Sequence, residues 1–208
     1  MELLLVRHAL PVRRESVEGP ADPELSEEGR AQAGHLATYL SSEHLDAIYA
    51  SPMRRARETA QAVASLQPVE VQTCDGVAEY DRLSPHYIPA EELKATNDPR
   101  WHAIVRGEWA SDVETSDEFR VRVLSSIEEL ISAHPSQRIA VVCHGGVINS
   151  YMCHVLDLPH HRGFFYPNYT SINRVAAARG GERSIVTLNE SSHLRGTGLP
   201  IGVFQVPK

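Results

Sequence analysis

The sequence predicts one α/β domain built around a mostly parallel sheet, and three observations carry the prediction. Apolar runs of strand length alternate with stretches of helical periodicity, the order expected when helices cover both faces of a sheet. Two of the runs, Leu3-Leu4-Leu5-Val6 and Ile139-Ala140-Val141-Val142-Cys143, are apolar at every position, as in strands buried on both sides. The chain has 208 residues, 42% of them hydrophobic, without a repeat or a linker-like tract, which suits a single core spanning residues 1–208.

Taken in order, residues 3–6 form the first strand. A helix over 24–43 follows, with Ala33, Leu36, Ala37 and Leu40 on one face and Ser26 placed to cap it. Residues 45–49 form a short second strand ending at Ala50-Ser51-Pro52, where Ser51 as N-cap and Pro52 as first helical residue predict the next helix start. Met53, Ala56, Ala60 and Val63 line that helix. From Gln72 to Thr115 the pattern weakens into an irregular stretch holding Pro85, Pro89, Pro99, Trp101 and Trp109. A long insertion of this kind in a compact domain is often a functional lid, and the segment at about 80–115 is read as one. Regular structure returns with Phe119, Val123, Ile127, Leu130 and Ile131 on a helix ending at His134-Pro135. The strand over 138–143, a helix opening after His144-Gly145-Gly146, and two strands near 171–177 and 184–188 complete the domain.

Composition narrows the function. A net charge of −7 argues against a nucleic-acid or anionic-membrane surface, though a local arginine cluster can still dominate a pocket. The N-terminal apolar run is too short for a signal segment or a membrane span. The three cysteines, Cys74, Cys143 and Cys153, are odd in number and not spaced for zinc, so reduced thiols and a cytoplasmic setting are expected.

Ligands of such sheets sit beyond the carboxyl ends of the strands. Three strand ends deliver Arg7-His8, Ser51-Pro52-Met53-Arg54-Arg55 and His144-Gly145-Gly146. Each alone is unremarkable, since a histidine after a strand is usually a hydrogen-bonded structural residue and an arginine early in a helix is usually a solvated charge. Together they supply two imidazoles and two guanidiniums at one sheet edge. Guanidiniums hold phosphate oxygens bidentately and stay charged. A neutral imidazole can attack phosphorus to give a phosphohistidine, and nearby arginines would keep His8 unprotonated. The helix after His144 aims free amides at the same anion. A proton donor for the leaving oxygen is also needed, and Glu79 is the first candidate with Asp81 its rival; Glu70 and Asp75 read as surface residues.

These residues resemble a known family. Leu5-Val6-Arg7-His8-Ala9 is similar to the Arg-His-Gly signature of the histidine phosphatase superfamily, the phosphoglycerate mutase-like proteins. Residues 25–33 resemble its first-helix signature, Ser51-Pro52-Met53-Arg54-Arg55-Ala56-Arg57-Glu58-Thr59-Ala60 its Ser-Pro-Leu-x-Arg-Ala-x-x-Thr-Ala segment, and Val142-Cys143-His144-Gly145-Gly146 its second-histidine motif. Leu188-Asn189-Glu190-Ser191-Ser192-His193-Leu194 resembles its C-terminal ending. The resemblance implies a three-layer α/β/α sandwich, no metal and no cofactor. It implies His8 as the phosphorylated nucleophile, Arg7 and Arg55 as phosphate ligands, His144 and the Gly145 amide beside them, and Glu79 as the general acid/base. Arg54 and Arg57 then read as surface charges.

Departures from the family pattern favour a phosphatase acting on a small phosphorylated substrate. Leu10-Pro11-Val12-Arg13-Arg14-Glu15-Ser16 stands where mutases carry a phosphate-holding Ser and Asn, and Tyr80-Asp81-Arg82-Leu83-Ser84 replaces the Gly-x-Trp-Glu-Gly stretch. Arg13 and Arg14 read as solvated loop charges. A cofactor-dependent mutase and a non-catalytic phospho-ligand binder are the alternatives; the acid at Glu79 argues against the binder. Cys143 ends a buried run and reads as inert. His154, His160 and His161 read as loop histidines rather than a metal site. Phe164-Phe165-Tyr166 is either core or a candidate homodimer patch, and His86-Tyr87 with the tryptophans either shapes the lid or packs it.

Overall fold

The computed structural model describes residues 1–106, 113–159 and 163–204. Its centre is a six-stranded sheet. In chain order the strands are β1 (Glu2–Arg7), β3 (Ala47–Ala50), β4 (Val71–Thr73), β6 (Arg138–Cys143), β7 (Ile172–Ala177) and β8 (Arg183–Glu190), arranged β4-β3-β6-β1-β7-β8. β4, β3, β6 and β1 run parallel, and β7 and β8 add an antiparallel edge. A separate two-stranded ribbon pairs β2 (Arg14–Glu15) with β5 (His86–Tyr87).

Alternation along β1 makes the three layers. Leu3 and Leu5 face one way, into a core with Phe119, Val123 and Ile127 of α5 (Ser116–Ala133) and Val147, Ile148 and Tyr151 of α6 (Gly145–Val155). Leu4 and Val6 face the other way, against Leu36 and Leu40 of α1 (Glu27–Leu40) and Ala56, Ala60 and Val63 of α2 (Arg54–Ala64). A strand sandwiched in this way has no solvent side, which is why the run is apolar at every position.

Local chemistry sets the helix ends. Ser26 caps α1 as expected, accepting the Gly29 amide at 2.9 Å, and Thr115 with Glu118 forms a full capping box on α5. Gly29 is required where it stands, because a Cβ there would lie 1.9 Å from the Leu10 carbonyl oxygen. The expected start of α2 is corrected. The helix begins at Arg54 with Met53 as its N-cap, and Ser51 and Pro52 form the turn before it. The Ser51 hydroxyl accepts the Met53 amide at 3.3 Å and also meets His144.

The stretch expected to be irregular is more ordered than its sequence suggests. After a 3₁₀ turn (Asp75–Val77) and β5 come two short helices, α3 (Ala90–Ala95) and α4 (Pro99–Arg106). Both are too short to show a clear helical repeat. Trp101 lies in α4 with its ring 5.5 Å from that of Tyr166, whereas Trp109 falls outside the described residues. His154 sits exposed in the last turn of α6 rather than in a loop. His160 and His161 lie outside the described residues.

Candidate active site

The parallel order β3-β6-β1 brings the carboxyl ends of three consecutive sheet neighbours together. Arg7 pairs in register with Cys143, so His8 and His144 emerge side by side, their rings 5.1 Å apart between centroids. Ala50 pairs with Val142, placing Ser51 beside them. α2 then carries Arg55 back over the same edge. His8, Arg55 and His144 are all essentially buried.

Hydrogen bonds decide which His8 nitrogen is available. Nδ1 lies 2.8 Å from the Ala9 carbonyl, which only accepts, so Nδ1 carries the proton. Nε2 is thereby left with its lone pair, and Arg55 Nε donates to it at 3.3 Å. Burial, with the charges of Arg55 and Arg7, holds the His8 pKa well below the ordinary imidazole value. His144 is lowered well below it too, by burial and by Arg55, and its Nε2 shares a 2.7 Å hydrogen bond with Ser51 Oγ. The two imidazoles are therefore neutral.

The guanidiniums are anchored on one side and open on the other. Arg7 Nη1 donates to the Pro167 carbonyl at 2.6 Å, and its guanidinium lies 4.1 Å over the Tyr169 ring. Arg55 Nη2 donates to Asp81 Oδ1 at 3.0 Å, with Tyr87 beneath its guanidinium at 4.6 Å. Buried Arg7 Nε and Arg55 Nη1 have no protein partner. A buried cation with spare N–H groups is costly unless an anion meets it, so the pair forms a socket for one.

Glu79 lies buried across the cleft, accepting the Tyr80 amide on Oε1 at 3.0 Å and the Gly146 amide on Oε2 at 2.8 Å. Burial and the neighbouring Asp81 carboxylate push its pKa from 4.5 up to about 7. Arg122 of α5 steadies this segment by donating to the carbonyls of Gly76 and Ala78. Gly146 leaves the carboxylate room, since a Cβ there would lie 2.4 Å from Glu79 Oε1.

Five of the six predicted groups, Arg7, His8, Arg55, Glu79 and Gly145, line one cleft of ≈ 190 Å³, and the sixth, His144, is in ring contact with His8. Arg54 and Arg57 are exposed, as are Arg13 and Arg14, which pair with Glu15 and Glu24. Glu70 and Asp75 are exposed. Cys143 is buried and its thiol pKa is pushed up, so it is a poor nucleophile. Phe165 and Tyr166 line the cleft while Phe164 is exposed, so the aromatic trio is divided between site and surface. Asp81 proves to be the partner of Arg55, Ser51 the partner of His144, and Tyr87 and Tyr169 the rings under the arginines. Ser51 was open to inference, as it directly follows a strand at the ligand-bearing edge. Tyr87 and Tyr169 carried no local signal. Among the described residues no cluster of His, Cys, Asp or Glu has the arrangement of a metal site.

Residues 3–191 match the model of the histidine phosphatase superfamily (branch 1), and the chain belongs to that superfamily. It is 33% identical to phosphoserine phosphatase 1 of Hydrogenobacter thermophilus over 171 residues, covering 76% of this chain and 77% of that one. It is 28% identical to phosphoglycerate mutase-like protein 4 of Arabidopsis thaliana over 205 residues, covering 95% and 88% respectively. A mutant phosphoserine phosphatase of Entamoeba histolytica, solved with phosphoserine, shares the fold at a TM-score of 0.72 and 23% identity, covering 93% of this chain and 98% of that one.

Proposed function

We propose that this member of the histidine phosphatase superfamily hydrolyses small phosphomonoesters through a phosphohistidine formed on His8, without metal or cofactor. The observation that carries the reading is the His8 lone pair. A buried imidazole is locked with Nδ1–H on a carbonyl and Nε2 facing an arginine socket. Family membership and the phosphatase relatives support the same activity.

In the first step the phosphoryl group occupies the socket formed by Arg7, Arg55, His144 and the Gly145 amide. His8 Nε2 attacks phosphorus, the bond from phosphorus to the ester oxygen breaks, and the Glu79 carboxyl gives its proton to the departing alkoxide. In the second step water attacks the phosphohistidine, Glu79 as carboxylate takes a proton from the water, the P–N bond breaks, and inorganic phosphate leaves. Charge on the equatorial oxygens is met by fixed N–H donors throughout. A pKa near 7 suits Glu79 to act as acid and then base.

We assign the whole chain to one domain, with residues 80–115 as the lid-like segment; Tyr87, Ile88, Ala90, Ile104 and Val105 from it line the cleft. Three free thiols favour a reducing, cytoplasmic setting. No described helix is long and apolar enough to cross a membrane. The test is phosphate release from a panel of phosphomonoesters with EDTA present and bisphosphoglycerate absent, by wild type and His8→Ala. Turnover that vanishes in the variant supports the reading. A strict bisphosphoglycerate requirement with no phosphate release would replace it with the mutase reading.

A further inference from the structure

One half-buried cation next to the site takes no part in the proposed steps. Arg122 of α5 does not line the cleft, and its guanidinium is turned instead to the chain that carries Glu79. Nη1 donates to two carbonyls of that chain, Gly76 at 2.8 Å and Ala78 at 3.0 Å. The Nε and Nη2 edge meets Glu114 as a fork, at 3.0 Å to Oε2 and 2.6 Å to Oε1. The Glu114 side chain is nearly buried and also pairs with Arg82, so the grip closes on the far side of Glu79. The Arg82 amide in turn donates to the Glu79 carbonyl at 3.2 Å. Ala78 before Glu79 and Arg82 after it are therefore tied to one ion pair. Packing fixes where this stretch sits: a Cβ on Gly76 would stand 1.7 Å from Ser126 Oγ of α5, and Val77 is buried in the core with Phe119 and Val123. Arginine suits the place because its planar set of five donors can meet a carboxylate bidentately and still reach two carbonyls.

We infer that the Arg122–Glu114 pair is the positioning device of the proposed general acid, holding the backbone on both sides of Glu79 so that its carboxyl meets the leaving oxygen. The inference rests on the phosphatase reading and adds to it two residues that do not line the cleft. The demand on position is severe, since a displacement of about 1 Å in a reacting group can cost roughly 10²-fold in rate.

The test compares kcat/KM for ethyl phosphate and 4-nitrophenyl phosphate in wild type, Arg122→Gln, Arg122→Lys and Glu79→Gln. Ethoxide needs the acid's proton to leave, and nitrophenolate does not. Arg122→Gln should slow ethyl phosphate by about tenfold or more and the nitrophenyl ester by about threefold or less. Arg122→Lys keeps the charge opposite Glu114 but loses the fork, which protects the fold. It should shift the ratio of the two rates in the same direction, by about threefold or more. Equal slowing of both esters overturns the inference and leaves the phosphatase reading intact, because damage spread through the site acts on both. Added to Glu79→Gln, Arg122→Lys should slow ethyl phosphate by no more than about twofold, and an undiminished effect there also overturns the inference.

A titration judges the clamp without turnover. The Glu79 carboxyl resonance is identified in ¹³C NMR by its absence from Glu79→Gln, and its midpoint in wild type is expected at about 7. Both Arg122 variants should lower that midpoint by about one pH unit as the loosened carboxyl gains water, whereas loss of a nearby positive charge by itself would raise it. A midpoint unmoved or raised overturns the inference. A lowered midpoint with no ester turned over upholds the clamp and removes only the catalytic reading.

Discussion

Replacing Glu79 by glutamine separates the two things its carboxyl does, and both effects follow from its surroundings. In catalysis a positioned acid contributes roughly 10²–10⁴-fold, and only where the leaving group needs a proton. Glu79→Gln should therefore lower kcat/KM for an alkyl phosphate by that factor while an aryl phosphate loses about tenfold or less. In folding, the carboxyl has a pKa of about 7 against an ordinary 4.5. That difference corresponds to about 3 kcal/mol penalising its charged form in the native state. The sign follows from the raised pKa: the native state holds the proton more tightly than the unfolded chain. The stability associated with that proton is complete below pH 4.5 and is lost as pH rises through 7. Glutamine does not titrate, but its amide nitrogen faces one of the two backbone donors that the carboxyl now accepts, from Tyr80 and Gly146. An unmet donor of this kind costs about 1–3 kcal/mol at every pH. Denaturant unfolding at pH 4.5 should thus find the variant less stable than wild type, and at pH 8.5 the gap should shrink by about 3 kcal/mol or reverse. A pH-independent gap would show that Glu79 titrates normally in the fold. Equal slowing of alkyl and aryl esters would show that it is not the proton donor.

Other perturbations test the neighbours. Asp81→Asn removes the like charge that helps raise the Glu79 pKa and frees Arg55 to interact more closely with Glu79. Both effects favour the Glu79 carboxylate, so the alkaline limb of kcat/KM for an alkyl phosphate should move to lower pH, read from a pH profile; an unmoved limb would disconnect Asp81 from the acid. Gly146→Ala should displace Glu79, since its Cβ would lie 2.4 Å from Oε1, whereas a Cβ at Gly145 meets nothing within 4 Å. Alkyl phosphate turnover should fall at least tenfold in the first variant, with Gly145→Ala remaining near wild type in thermal stability.

Much of this protein is legible in one dimension, and the legible parts share a cause. Buried parallel strands must be apolar at every position, and their helices must show one apolar stripe, so β1, β6, α1, α5 and α6 declare themselves through composition and period. Because ligands of such sheets lie past the strand ends, the positions of Arg7, His8 and His144 after apolar runs point to one sheet edge. Arg55 and Glu79 needed the added specificity of a family resemblance, since neighbouring Arg54 and Asp81 are chemically equivalent on paper. What separates Arg54 from Arg55 is helix phase: one turns to Glu24, Glu58 and solvent, the other into the core edge.

The remainder was decided only by tertiary structure. Ser51 looks like a helix cap in sequence, yet its hydroxyl meets His144 from 93 residues away. Tyr87 and Tyr169 lie under arginines 32 and 162 residues distant in sequence, respectively. The helices α3 and α4 are too short for a period to emerge; Ala90, Ile104 and Val105 of them line the cleft, whereas Leu93 is buried. The sequence by itself determined the class of fold and, with the family resemblance, the candidate reacting groups, because these depend on residue type, motif and local periodicity. The tautomer of His8, the raised Glu79 pKa and the lining of the cleft were set only by folding, because desolvation and charge proximity are properties of the space between segments that the chain order does not encode.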